Sequence, residues 1–401
     1  MTNDADSPGL DEFRREAAAV LAAFAPRRGP GATRWGEGDD RVSVIGEPSD
    51  RESERLAELR RYRRHLAEHG LSWVDGPRAF GGRGLTSTYA DIFREVESQY
   101  DLPDNAYLRF SISTLTPTLL SHGTDAQKEA WLRRLNSADL IACQLYSEPG
   151  AGSDLAGLST RAVQDGDGWR ITGQKVWSSG AHYSDVALCI ARTSPDKPKH
   201  AGLTTFLIDL DSPGVEIRPI RQLTGGASFD EVFLTDVYVG DDRRIGAVDE
   251  GWSVVVTSLL TERSVIGTEA GVDEALVERL LDLARHVGAP LDDRARDAVA
   301  QVVVRAWAAR LTTARLLEGG RTPGPELAIC KLLATDVLGS MSDTAADLLG
   351  AAHVADTGDW GTYSWSELTL GLPGLRVGGG TDEILKNTVG ERVLHLPKDT
   401  R

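Results

Sequence analysis

The chain has 401 residues, of which 41 % are hydrophobic and 26 % charged, a composition typical of globular proteins and a length sufficient for two or three domains or one large multilayer fold. Its formal net charge of −16 argues against nucleic acid or an anionic membrane as the main partner, because both bind basic surfaces. An anionic small molecule is compatible with this charge, since a few arginines, lysines and backbone amides suffice to bind it.

The three cysteines, Cys143, Cys189 and Cys330, lie far apart and include no C-x-x-C pair, so we expect neither a disulfide framework nor a zinc site. Their apolar neighbours predict small core residues. The acidic first residues contain no apolar run of the kind found in signal peptides, and no stretch has the length of a membrane span. We therefore expect a cytoplasmic protein.

The first 140 residues predict helices. Apolar residues from Leu10 to Phe24 recur at helical spacing, and a second helix is expected from about Asp50 to His69. Between them, the residues from Pro26 to Asp50 are rich in glycine, proline and charge and predict a long loop. Further on, Thr124 and Gln127 have the spacing of a capping box at the start of an amphipathic helix.

The pattern changes at about residue 141, where short runs rich in Val, Ile, Thr, Phe and Trp alternate with turn signals. Such runs are typical of strands, and they extend over Trp169 to Val176, Val186 to Arg192, Leu203 to Leu210 and Phe229 to Val239. Glycine, proline and aspartate mark the turns between them. This region predicts a compact antiparallel β domain.

From Gly251 the pattern is helical again, with candidate helices at 251–286, 292–318 and 325–349 and a shorter one from Thr381 to about Val393. A doubly wound α/β fold would alternate strands and helices throughout, and this chain does not. We therefore predict a mainly α fold with a central β domain: an N-terminal helical domain (1–140), a middle antiparallel β domain (141–245) and a C-terminal helical bundle (246–401).

Three segments carry candidate chemistry, and the first is QLYSEPGAGSD, from Gln144 to Asp154. Gly150 and Gly152 allow a ligand to approach the backbone closely, and Ser147 and Ser153 offer hydroxyl groups. Successive N–H groups of such a loop suit an anionic or carbonyl-rich ligand. An ordinary tight surface turn explains the same residues equally well.

The second segment is TGQKVWSSG, from Thr172 to Gly180. An aromatic face at Trp177 can lie against a planar ring while the Ser179 hydroxyl bonds the edge of that ring. Taken alone, the segment is better explained by a Trp packed in the core on a β-strand.

The third segment is GGGTDE, from Gly378 to Glu383, followed by ILKNTVGERVLHLP. Three glycines end a loop, and Thr381 begins a helix whose N-terminus is a suitable phosphate site. Ordinary helix capping by Thr381 is the alternative.

In their residues and their order along the chain, these segments resemble motifs of the acyl-CoA dehydrogenase family. The resemblance covers nearly the whole chain, because it also includes FGGRGL from Phe80, LLSHGTDAQKEAWL from Leu119, RQLTG from Arg221 and the final GERVLHLP. Each motif alone is moderate evidence, whereas the set in this order is specific.

The resemblance implies a fold with an N-terminal helical domain, a middle β domain and a C-terminal helical bundle, and it implies FAD as the cofactor. The flavin would carry the hydride chemistry while the protein positions it against the substrate. Carried over motif by motif, the residues that would contact FAD are Gln144, Tyr146, Ser147, Trp177, Ser179, Thr381 and Glu383. Ser153 would face the CoA side.

The family reaction removes an α-proton, which requires a base beside the substrate. Many members have this Glu directly before the Gly-Thr of the third motif, where this chain has Gly379. A second lineage has a Glu directly before an Arg on a helix of the C-terminal bundle, which here corresponds to Glu262 and Arg263. The apolar residues around Glu262 disfavour an ionised carboxylate and so suit a base that works near neutral pH. The alternative for Glu262 is a solvated or salt-bridged helix residue.

Two further residues complete the implied site. Arg263 would contact CoA or order the site, and Gly379 would donate its N–H to the thioester oxygen, where charge develops. Glu148 is a poor candidate for the base, because its place inside the Ser-Glu-Pro motif predicts that it holds the loop together.

Two family motifs are missing or eroded. We find no Arg-x-x-Phe-Gly between residues 285 and 310, and the Gln-x-x-Gly-Gly segment that usually helps to bind FAD corresponds to DLLGAAHV near Gly350. Both changes place in doubt the contribution of a neighbouring subunit to FAD binding.

The expected reaction is the α,β-dehydrogenation of an acyl-CoA or an acyl-carrier thioester by a homodimer or homotetramer, with an electron-transferring flavoprotein as the acceptor. Two alternatives stay open. One is a flavin-dependent oxidase or monooxygenase on the same fold, which would need no α-proton base. The other is a supporting subunit of a hetero-oligomeric dehydrogenase, which the glycine at 379 would fit.

Overall fold

A computed structural model describes residues 7–29, 35–43, 51–268, 274–287, 292–317 and 324–398, without the side chains of 263–268. The chain forms two compact units. The first comprises Met1–Gly31, Pro48–Ile220 and Phe229–Ser258, and the second Ala32–Glu47, Arg221–Ser228 and Leu259–Arg401. Within the described ranges, no helix has the length and hydropathy needed to cross a membrane, and no cluster of His, Cys, Asp and Glu side chains is arranged to hold a metal ion.

The first unit begins with helices that pack around one apolar core. Its helices are α1 (Leu10–Phe24), α2 (Glu52–Glu68), α3 (Ser87–Glu97), α4 (Thr116–His122) and α5 (Asp125–Asn136). Helix α1 buries Phe13, Ala17, Val20 and Leu21, which share one helical face, and the ring of Phe13 meets that of Tyr89 on α3 edge-on at 5.2 Å. The two predicted N-terminal helices are confirmed within two residues at each end.

The predicted capping box at the start of α5 is confirmed, and it also ties this helix to the sheet. Thr124 Oγ1 accepts the N–H of Gln127 at 3.2 Å, and the Thr124 N–H donates to Gln127 Oε1 at 2.9 Å. The Gln127 amide then donates to the carbonyls of Asp242 and Arg244, at 2.7 and 2.8 Å. One side chain therefore satisfies the helix end and two loop carbonyls.

Replacement of Thr124 by Ala should loosen the first turn of α5. An N-cap hydroxyl contributes about 1 kcal/mol, so amide exchange in residues 125–128 should accelerate about fivefold in hydrogen-exchange mass spectrometry. Thr124→Ser keeps the hydroxyl and is the matched control. Equal exchange in Thr124→Ala and wild type would contradict a stabilising role of the cap.

The middle of the chain forms an eight-stranded sheet in the order β6-β7-β3-β2-β4-β5-β8, with β1 pairing beside β4. The strands are β1 (Ala142–Leu145), β2 (Arg161–Asp165), β3 (Gly168–Ser179), β4 (Val186–Arg192), β5 (Leu203–Asp209), β6 (Val215–Ile220), β7 (Phe229–Gly240) and β8 (Arg244–Ile245). Most pairs are antiparallel, as predicted. The β1–β4 and β2–β4 pairs are parallel, which the sequence did not predict. Parallel pairing needs a long crossover, and between β1 and β4 the loop of the first motif and the β2–β3 hairpin supply it.

The cysteines are core residues, as predicted. Cys143, Cys189 and Cys330 are buried, unbridged thiols. Burial raises the pKa of Cys143 to about 12 and that of Cys189 to about 11, so neither forms a reactive thiolate near neutral pH.

Helix α6 (Gly251–Thr268) follows the sheet, and the second unit continues with α7 (Glu274–His286), α8 (Asp293–Leu317), α9 (Leu327–Leu349), α10 (Ser366–Val377) and α11 (Asp382–Thr388). The single helix predicted over 251–286 is thus two helices, and residues 269–273 between them lie outside the described residues. After α11, a π-helical turn continues over Val389–Val393.

Helix α10 was not predicted, because Gly371, Pro373 and Gly374 all lower helix propensity. It forms because Leu368 and Leu372 are buried in the core of the second unit, together with Trp365. Burial of apolar surface overrides local propensity here.

Part of the predicted N-terminal loop packs on the second unit, to which it belongs. Residues 35–43 have no regular structure, as predicted. The Trp35 ring stacks on His286 at 4.7 Å, and the Val42 N–H donates to the Ser364 carbonyl at 2.7 Å. The remainder of the predicted loop up to residue 50 lies largely outside the described residues.

Candidate active site

The first motif leaves β1 and turns sharply at Glu148. The N–H of Glu148 donates to the Ala151 carbonyl at 2.9 Å, and the N–H of Ala151 donates back at 3.0 Å, which closes a two-residue turn. A Cβ added at Gly150 or Gly152 would meet none of the described atoms within 4 Å. Packing within the chain therefore does not require these glycines, and Ser153 beyond them is exposed.

The Glu148 carboxylate holds this loop in place, as its position in the motif predicted. It is buried and accepts the N–H and the hydroxyl of Ser159, both at 2.7 Å, and the N–H of Thr160 at 2.9 Å. It also accepts from the Lys175 ammonium at 3.0 Å. Because these bonds occupy both carboxylate oxygens and hold the loop, Glu148 is not available as a base.

Burial alone would raise the pKa of Glu148, but the Lys175 charge and the bonds from Ser159 and Thr160 outweigh it and hold this pKa at about 2. Lys175 is itself fully buried and also donates to the Tyr146 carbonyl at 3.1 Å. No role was predicted for Lys175, although it lies inside the second motif. The available signal was a lysine between apolar and aromatic residues in a strand pattern.

The second motif carries Trp177 on an irregular part of β3. The register between β3 and β7 breaks between Lys175 and Ser178, and Trp177 has a φ of +61°, in the left-handed region that bulky residues rarely adopt. Its ring is 58 % exposed and meets Phe229 edge-on at 6.1 Å. The interpretation of Trp177 as a core residue is therefore wrong, because the bulge turns its side chain outward.

The first two motifs lie side by side in the first unit. The N–H of Val176 donates to the Ser147 carbonyl at 2.9 Å, and the Tyr146 hydroxyl donates to Ser258 on α6 at 2.9 Å. Gln144 lies half-buried on β1, and Ser179, at the exposed end of β3, is in register with Phe229. The structure thus brings Tyr146, Ser147, Trp177 and Ser179 into one region.

The third motif lies in the second unit, where Thr381 caps α11 by accepting the Ile384 N–H at 3.2 Å. Glu383, in the first turn, is exposed. Before them, Gly379 and Gly380 have φ values of +67° and +101°. The structure thus supports the capping interpretation of Thr381, and its contact with FAD stays a prediction.

Buried Lys331 on α9 holds this glycine loop. Its ammonium donates to the carbonyls of Gly380 and Arg376, at 2.7 and 3.2 Å, and lies 3.3 Å from the Asp382 carboxylate. Thr335, one turn further along α9, donates to the same carboxylate at 3.2 Å. The role of Lys331 was not predicted, because a lysine inside an amphipathic pattern is ordinarily solvated.

Glu262 lies half-buried on α6, four residues after Ser258. This spacing places both side chains on one face of the helix. The helix is anchored by Val254, Val255 and Ser258, which are all fully buried. The side chain of Arg263 lies outside the described residues, so its predicted role is untested.

These features suit a flavin. An exposed indole, held in a strained backbone beside an exposed serine hydroxyl, offers a face and an edge donor to a planar ring, and the neighbouring loop leaves its glycines open. The site thus offers an aromatic face and hydroxyl groups to a planar ligand, on a chain with helical domains on both sides of a β domain in the sequence.

The sequence matches three domain families: acyl-CoA dehydrogenase N-terminal domain over residues 44–139, middle domain over 143–237 and C-terminal domain over 249–394. The chain therefore belongs to the acyl-CoA dehydrogenase family. It is an oxidoreductase, and its cofactor is FAD, as in the other members of this family.

Several relatives are similar over most of the chain. Acyl-CoA dehydrogenase IpdE1 of Mycobacterium tuberculosis is 37 % identical over 360 residues, which cover 89 % of this chain and 92 % of that protein. FadE34 of the same organism is 38 % identical over 285 residues, 70 % of this chain and 39 % of that longer protein.

Solved structures agree with the fold. The Tcur3481-Tcur3483 steroid ACAD has a TM-score of 0.76 at 26 % identity, with 99 % of this chain and 100 % of that chain covered. The ChsE4-ChsE5 complex from Mycobacterium tuberculosis has a TM-score of 0.74 at 25 % identity, with the same coverage.

The low pKa of Glu148 predicts a pH-dependent contribution to stability. Because this pKa lies near 2, below its ordinary value of 4.5, the ionised carboxylate stabilises the fold above pH 4.5 and loses that effect as the pH falls towards 2. Glu148→Gln should lower the free energy of unfolding by about 3 kcal/mol at pH 7, and the gap to wild type should shrink steadily below pH 4.5.

Urea titrations from pH 7 to pH 3 measure this gap. Glu216→Gln is the matched control, since Glu216 is paired with Arg218 at 2.8 Å but is 60 % exposed, and such surface pairs contribute at most about 1 kcal/mol. A gap that stays constant with pH would show that Glu148 is not the titrating group.

Proposed function

We propose that this enzyme oxidises the α,β carbon–carbon bond of an acyl-CoA thioester to the 2,3-enoyl thioester, with Glu262 as the base that removes the α-proton. The observation that carries the proposal is the place of Glu262 on α6, on the helical face of Ser258, whose hydroxyl is bonded to Tyr146 of the first motif. The family membership supplies the reaction class.

The other acidic residues of the three motifs are poorer candidates for the base. Position 379 is a glycine and offers no carboxylate. Glu148 is buried, with its oxygens occupied and its pKa held near 2, so it is a poor proton acceptor at neutral pH. Asp154 accepts from the Lys199 ammonium at 2.7 Å on the surface. Asp382 is bonded to Lys331 and Thr335, and Glu383 is exposed.

In this mechanism the α-proton moves to the Glu262 carboxylate while the β-carbon loses a hydride, and the carbon–carbon double bond forms between them. Bound FAD supplies the hydride acceptor. The Gly379 N–H polarises the thioester oxygen, where negative charge develops. Arg263 contacts CoA, Ser153 lies on the CoA side, and the segments around Ser147, Trp177 and Thr381 hold the flavin.

We also propose a substrate with a ring-bearing, steroid-derived acyl group. The support is the similarity, at 26 % identity over nearly the whole chain, to a structure described as a steroid ACAD. The acceptor of the electrons is an electron-transferring flavoprotein, and the assembly is a dimer or tetramer.

A supporting-subunit role is the second candidate function. It is favoured by the glycine at 379 and by the names of the two similar structures, each of which gives two chains.

Glu262→Gln should abolish reduction of the flavin while leaving substrate binding intact. Loss of a general base costs about 100- to 10,000-fold in rate, so anaerobic bleaching of the oxidised flavin band by an acyl-CoA should slow by that factor. Stopped-flow absorbance measures the rate, and the spectral shift on binding measures affinity. Glu278→Gln, an exposed glutamate of the same bundle, is the control. If Glu262→Gln bleached at the wild-type rate, another residue would be the base.

A substrate panel tests the acyl group and the second candidate together. Steroid-derived CoA thioesters should bleach the flavin at least about tenfold faster than short or straight-chain acyl-CoAs, since a pocket shaped for a ring body positions the reacting bond of a flexible chain less precisely. Faster reaction with straight chains would refute the steroid proposal. If no thioester bleached the flavin until a second dehydrogenase chain was added, the supporting-subunit role would replace the one proposed.

A further inference from the structure

The bulge in β3 reverses the side on which its residues lie. In an unbroken strand, Lys175 and Trp177 would share one face. Here Lys175 is fully buried, whereas Trp177 is 58 % exposed, and the register with β7 breaks between Lys175 and Ser178. A φ of +61° at a Trp persists only where the surrounding structure fixes it.

Three hydrogen bonds fix the residues that directly precede Trp177. The Lys175 ammonium donates to the Tyr146 carbonyl at 3.1 Å and to Glu148 at 3.0 Å, and the Val176 N–H donates to the Ser147 carbonyl at 2.9 Å. Glu148 in turn accepts hydrogen bonds from Ser159 and Thr160. The carboxylate that binds the Lys175 ammonium is therefore itself fixed in position.

We propose that Lys175 is a positioning residue for the flavin, which acts by holding the bulge that presents the Trp177 ring. The inference depends on FAD and on the assignment of Trp177 to the flavin, and it does not depend on Glu262 or on the acyl substrate. If this is so, Lys175 contributes to the affinity for FAD only through the position of the Trp177 ring.

The test uses the Lys175→Met/Glu148→Gln double variant, which removes both buried charges and so leaves neither one unpaired. Its apoprotein should keep the far-ultraviolet circular dichroism of wild type. Its dissociation constant for FAD, measured by flavin fluorescence titration, should rise about tenfold, and the visible circular dichroism of bound FAD should change.

A thermodynamic cycle with Trp177→Ala separates positioning from general destabilisation. If Lys175 acts through the ring, the combined variant should bind FAD within about twofold of Trp177→Ala alone. Independent contributions add in free energy, so their effects on the dissociation constant multiply. A dissociation constant for FAD that rises about a hundredfold in the combined variant would therefore overturn the proposal. Unchanged FAD affinity in Trp177→Ala would overturn it as well, without bearing on the dehydrogenation.

Two further variants complete the design. Lys197→Met/Asp249→Asn removes an ion pair of 2.7 Å in the same unit, and it should leave the FAD affinity unchanged. If the first double variant does not fold, Ser159→Ala replaces it, since it deletes one bond to Glu148 without exposing a buried charge. Ser159→Ala should then weaken FAD binding about threefold, and only when Trp177 is present.

Discussion

A cation removed from water must find acceptors for its protons, and this constraint organises the three predicted cofactor segments. Among the described residues, three cations are buried: Arg63, Lys175 and Lys331. Each donates to a backbone carbonyl where the chain leaves a regular element. Arg63 bonds the carbonyl of Asn136 at the end of α5, Lys175 that of Tyr146 after β1, and Lys331 that of Arg376 near the end of α10. Such carbonyls lack hydrogen-bond partners within their own element. Each bond therefore satisfies a terminal carbonyl and a buried cation together.

The placement of the two lysines gives each cofactor segment a rigid support. Lys175, inside the second motif, donates to two residues of the first, and Lys331 donates to the glycine loop of the third. Loops are ordinarily the least constrained parts of a domain, yet a site must hold its groups within about half an ångström. A buried ammonium with three donors joins a backbone carbonyl and a carboxylate of another segment to one helix or strand, which an apolar side chain cannot do.

The sequence predicted the order of helices and sheet, the cap at Thr124 and the structural role of Glu148, because these depend on local spacing. It did not predict the exposure of Trp177. Strict alternation along β3 places Trp177 on the buried face of Lys175, and only the bulge against β7 reverses this. The parallel pairing of β1 with β4 was missed for a similar reason. The paired strands lie more than 40 residues apart in the sequence, so no local sequence pattern indicates that they pair. The lysines were missed because their acceptors are carbonyls from distant segments.

The backbone of the glycine loop bears on where the base lies. Gly379 and Gly380 both have φ in the left-handed region, and Lys331 fixes the loop by its bond to the Gly380 carbonyl. A residue with a Cβ at position 379 would cost roughly 1–2 kcal/mol in this conformation. The loop thus favours a glycine at position 379, which leaves the base of the proposed mechanism to another element. Under the proposed mechanism, the carboxylate on α6 and the left-handed loop are two parts of one arrangement, in which the loop contributes only its backbone.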